Sequence, residues 1–146
     1  MAGYHYKLQI VPNQFVSSIG AEESKVNYWF GEQPNACMLA ALRQLMPIDK
    51  SWGETEEYRS EKNYSVIYIW WEESNVWSVQ FEFAPVLKGE DVMLNKVLSL
   101  CSKNDYKIFS ERSRNVISPN RLDLWQDFVT VPPFPIYQRK GLLKFT

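Results

Sequence analysis

The strongest pattern in the chain lies between Ser65 and Phe83, S-V-I-Y-I-W-W-E-E-S-N-V-W-S-V-Q-F-E-F. Its second half alternates, with Trp77, Val79, Phe81 and Phe83 on one side and Ser78, Gln80 and Glu82 on the other. That period of two marks a strand with one buried face. Its first half is apolar on both sides: Ile67, Ile69 and Trp71 form one face, Val66, Tyr68 and Trp70 the other. Such a strand sits in the middle of a sheet or carries an exposed aromatic patch. The two strands form a hairpin that turns between Glu72 and Val76. An odd-numbered loop places Ile67, Ile69 and Trp71 with Val79 and Phe81; a two-residue Ser74-Asn75 loop pairs them with Ser78 and Gln80. The odd loop is expected, because it gathers the aliphatic residues on one side.

The rest of the chain alternates between strand and helix periods. Tyr4 to Val11 is a first strand, stopped by Pro12. Asn13 to Glu32 is mixed, with Lys25 to Phe30 as a candidate edge strand. Pro34 suits the first turn of a helix. Met38, Leu42 and Leu45 with Ala41 mark its apolar face, and Leu39 and Met46 widen it. Pro47 ends it, so this helix runs over Asn35 to Met46. Ile48 to Asn63 reads as a long polar, acidic connection, of the kind that often carries function. Gly89-Glu90-Asp91 opens a second helix, whose Leu94, Val97, Leu98 and Cys101 fall at i, i+3, i+4 and i+7. Tyr106 to Ser110 is a further strand. Ser118-Pro119 is the cap and first turn of a third helix, faced by Leu122, Trp125 and Val129 with Leu124 and Phe128 beside them. Val131 to Pro135 is stiff and extended, and Gly141 to Thr146 adds a short strand or a docked tail.

This order, β-α-β-β-α-β plus a C-terminal helix, predicts an α+β fold of the ferredoxin-like, split β-α-β type. Two helices would pack on one face of a four-stranded antiparallel sheet, joined by right-handed crossovers. Residues 1–129 would make one domain, with 130–146 as a Pro-rich extended tail docked on it. The other sheet face would be solvated, capped by the third helix and the tail, or used for binding. Tyr68 and Trp70 fall there.

Composition sharpens this only in places. A chain of 146 residues suits one domain that buries roughly 68–70% of its unfolded surface. The aromatic share of 15%, with six Trp and eight Tyr, invites a binding surface. Sixteen basic and seventeen acidic residues argue against a polyanion partner. Cys37 and Cys101 sit in apolar helical patterns and are expected as buried free thiols. The N-terminus lacks an apolar signal core, and no apolar run approaches the ~20 residues of a spanning helix. The cytoplasm is therefore the expected compartment, with no membrane partner.

Little chemistry is encoded. His5 is the sole histidine and lies on the polar side of the first strand, so no Ser-His-Asp or Cys-His set assembles without it. G-x-S-x-G, G-x-G-x-x-G and the P-loop are absent. One histidine and two scattered cysteines cannot make a four-ligand structural zinc site. The pairs Glu22-Glu23, Glu56-Glu57, Glu72-Glu73 and Glu90-Asp91 are adjacent residues, which on a strand face opposite ways. Glu72-Glu73 reads as a solvated turn that blunts aggregation. No catalytic, cofactor or metal residue is assigned, and the chain is expected not to be an enzyme. An RRM-like sheet stacks bases on aromatics. The third strand here, Ser78 to Phe83, lacks the glycines and the basic lead residue of that pattern.

Ser51-Trp52-Gly53-Glu54, the acidic stretch after it, Ile67-Tyr68-Ile69-Trp70-Trp71-Glu72 and Val76-Trp77-Ser78-Val79-Gln80-Phe81 carry a resemblance. With the helix opening at Ser118-Pro119-Asn120, they are similar to small bacterial cytoplasmic proteins, some of which resemble immunity proteins that neutralise toxins of neighbouring bacteria. The likeness spans about Ile48 to Phe128. It implies a non-enzymatic binder that occludes a protein partner, such as a toxin, with aromatic and acidic contacts. Trp52, Glu54, Glu56, Glu57 and Tyr58, with Tyr68 and Trp70, are the expected partner-binding residues: acids steer a basic face and aromatics anchor it. The alternatives are a single-stranded RNA or nucleotide binder on the open sheet face, and a small-ligand sensor. An exposed strand edge can equally serve a homodimer.

Overall fold

A computed structural model of the chain describes residues 6–15, 26–60, 65–83 and 91–130. His5, the Gly89-Glu90 cap and the Pro-rich tail at 131–146 lie outside these residues. The described elements are β1 (Tyr6–Pro12), α1 (Ala36–Leu45), β2 (Ile48–Trp52), β3 (Thr55–Arg59), β4 (Ser65–Glu72), β5 (Asn75–Phe83), α2 (Asp91–Lys103), β6 (Tyr106–Ser110), β7 (Asn115–Ile117) and α3 (Arg121–Thr130). The chain is α+β. All strand pairs are antiparallel, and the seven described strands run β2-β3-β4-β5-β1-β6-β7 across one sheet.

The sheet is therefore larger than the four strands expected. The expected strands are its inner members, in the order β4-β5-β1-β6. The Ile48–Asn63 connection, expected as a loop, contains the hairpin β2-β3, and β7 adds the other edge. Glutamates are poor strand formers by propensity, and their charge hid β3. Here they are paired: Arg59 reaches Glu57 at 2.5 Å and Arg43 of α1 reaches Glu56 at 2.9 Å. Gly53, with φ of +55°, supplies the left-handed residue of the turn between β2 and β3. Of the candidate edge strand at Lys25–Phe30, the described residues 26–30 form no strand; Tyr28 to Gly31 make a turn.

Strand pairing sorts the side chains onto two faces. Tyr6↔Phe83, Leu8↔Phe81, Ile67↔Phe81 and Ile69↔Val79 align the buried apolar residues of β1, β4 and β5 on one side. Ile108 joins them through its pairing with Ile10. Burying side chains of this size contributes about 1.5–3 kcal/mol each. Tyr58 pairs with Ile67 and Glu56 with Ile69, so both lie on this side too.

All three described helices cover that face. Arg43 of α1 binds Glu56 there, and Asp127 and Phe128 of α3 meet Tyr6. Between them, Arg121 of α3 donates to Asn95 of α2 at 2.7 Å. The third helix thus does not cap the opposite face. It is also rotated from the expected register: Leu124, Asp127 and Phe128 are buried and Leu122 is exposed. Asp127 sets that rotation by accepting from Tyr6 at 2.5 Å, Ser113 at 2.6 Å and Asn115 at 3.1 Å. Burial, and then the Asp127 carboxylate, push the Tyr6 hydroxyl well above the usual tyrosine range.

The helix stripes are otherwise as the spacing predicts: Leu94, Val97, Leu98 and Cys101 are all buried, as are Met38, Leu39 and Leu42. Two caps shift. Asn35, rather than the Pro34 turn, caps α1 by accepting from the Cys37 amide at 2.7 Å. Asn120, rather than Ser118, caps α3 by accepting from the Asp123 amide at 2.8 Å. Cys101 is buried, and burial pushes its thiol up to about 12. Cys37 is exposed, against expectation, because it sits in the first turn on the outer side of α1.

Candidate functional site

The hairpin β4-β5 controls one end of the sheet. Its turn is the two-residue Glu73-Ser74, both with positive φ (51° and 69°), the primed pattern that matches strand twist. The expected loop of odd length is absent, yet the expected face alignment holds. A bulge supplies the odd residue instead: Trp70 pairs with Ser78 but Trp71 with Val76, and Trp77 is passed over. Trp77 therefore leaves the inward row to which its alternation assigned it. Its ring lies 5.7 Å from that of Trp70, which is half-buried on the face opposite the helices.

A bulge leaves ladder groups to be satisfied elsewhere. The segment before α1 satisfies them. The Gln33 side chain accepts from the Val76 amide at 2.7 Å and donates to the Val76 carbonyl at 3.1 Å. The Tyr28 amide donates to the Trp77 carbonyl at 2.9 Å. The Asn27 side chain accepts from the Trp29 amide at 3.1 Å and shapes the turn. Docked this way, the segment and the hairpin tip enclose a pocket of about 540 Å³. Trp29, Phe30, Glu32, Glu72, Glu73 and Trp77 are among its described walls. Phe30 is 85% exposed. Trp29 is 1% exposed, packed edge-on against Tyr106 at 5.0 Å, and its indole N–H has no acceptor among the described residues.

The expected partner-binding residues divide three ways. Glu54 belongs to this end of the sheet. Its carboxylate accepts from the Glu73 amide at 3.2 Å, and its carbonyl from the Trp71 amide at 2.8 Å. Trp52 ends β2 at the same turn, paired with Thr55; its side chain is outside the described set. Glu56 and Tyr58 face the helices. Glu56 takes both Arg43 bonds at 2.9 Å, the Tyr58 hydroxyl at 2.5 Å and the Trp71 indole at 2.7 Å. Burial alone would raise its carboxyl. The bonds from Arg43, Tyr58 and Trp71, with the Arg43 charge, outweigh that and hold it below the ordinary value.

Glu57, Tyr68 and Trp70 lie on the opposite face, where Glu57↔Tyr68 and Tyr68↔Gln80 place three strands in one row. Burial, then Glu82 and Glu57, raise the Tyr68 hydroxyl. Sequence reasoning missed Phe30, Glu32 and Trp77 as neighbours. Only the doubled Trp70-Trp71 opposite a lone Trp77 hinted at the bulge that brings them together.

Among the described residues no group of His, Cys, Asp and Glu is placed to hold a metal ion, and no helix is long and apolar enough to cross a membrane. Comparison with protein-family models, curated proteins and solved structures finds no match for this chain.

Proposed function

We propose that the protein is a non-enzymatic binding module that occludes another protein with the hairpin end of its sheet, in the manner of an immunity protein on a toxin. The observation that supports this is the meeting of acids and accessible aromatics at that end: Glu54 against Glu73, with Phe30 and Trp77 beside them and the Trp70 ring tilted against Trp77. Aromatic anchors with a carboxylate rim are the composition of a site for a basic partner. Glu56 and Tyr58 move in this reading from contacts to supports, since their polar atoms bind one another, Arg43 and Trp71. The RNA reading gains nothing, because on the face of Tyr68 and Trp70 the Arg59 guanidinium is engaged by Glu57 rather than offered to phosphate. The inner order β4-β5-β1-β6 supports a ferredoxin-like core extended by β2-β3 and β7. The unpaired thiols of Cys37 and Cys101 suit the reducing cytoplasm.

The test is co-purification from the native host, identification of the partner by mass spectrometry, and reconstitution with both purified proteins. Phe30→Ala and Glu54→Lys should each weaken the complex at least about tenfold, and Trp77→Ala more. Recovery of no protein partner, or affinity unchanged in all three variants, would remove the reading.

A further inference from the structure

We draw no further inference here: the strongest candidate, the patch of half-buried rings Tyr68, Trp70 and Trp77 on the sheet face opposite the three described helices, carries nothing because nothing in the structure shows what covers it.

Discussion

At the scale of single residues, Glu56 does most to join sheet to helix. It receives Arg43, Tyr58 and Trp71, while the Arg43 guanidinium also lies 5.7 Å from the Trp71 ring centre. Because its carboxyl is held below the ordinary 4.5, the folded chain keeps Glu56 ionised at pH values where the unfolded chain protonates it. The stability it contributes is complete above 4.5 and is lost as pH falls through the lower folded-state value. Urea denaturation from about pH 6 down to about pH 3 should show a decline that Glu56→Gln makes shallower. At neutral pH the same substitution should cost on the order of 1.5–3 kcal/mol, the worth of charged hydrogen bonds. An identical pH slope in the variant would show that Glu56 is no such hub.

At the scale of elements, the hairpin turn carries two non-glycine residues in left-handed backbone, Glu73 and Ser74. Such a conformation costs roughly 1–2 kcal/mol for a residue with a Cβ. Ser74→Gly should therefore raise stability by up to about 1 kcal/mol in chemical denaturation; a lower midpoint would mean that Ser74 has a role beyond the turn.

Elements with a strong period were legible. The α2 stripe and the pairing face of Ile67, Ile69, Val79 and Phe81 follow from spacing alone, because burial rewards those patterns directly. What escaped had its energy in partners distant along the chain. β3 needs Arg43 to neutralise Glu56, and the rotation of α3 needs Tyr6 to meet Asp127. The candidate site was half legible. Glu54 lies in it because it sits in a turn, but Phe30 and Glu32 arrive only through Gln33 and Tyr28, whose bonds reach across the fold to Val76 and Trp77. Local pattern holds no record of such bonds.

At the scale of the whole molecule, the three described helices share one face of the sheet, and the other carries a polar row. Gln9 donates to Gln80 at 3.1 Å and to Glu111 at 2.9 Å, with Tyr68 and Glu57 continuing the row through β4 and β3. Protection should follow position in the sheet, because inner strands open only with the core whereas edges fray. In native-state hydrogen exchange, the amides of β1, β4 and β5 should exchange slowest and those of β2 and β7 fastest. Uniform protection across the sheet would contradict this layering.

The passed-over tryptophan gives the molecule a kind of modularity. The alignment of Ile67 with Phe81 does not depend on Trp77, whereas the docking of the segment before α1 onto the hairpin does. A chain shortened by that single residue would keep its ladder and lose a wall of the cleft at the hairpin tip. The recognition proposed here would then hang on a spare residue, to be gained, retuned or discarded without touching the scaffold.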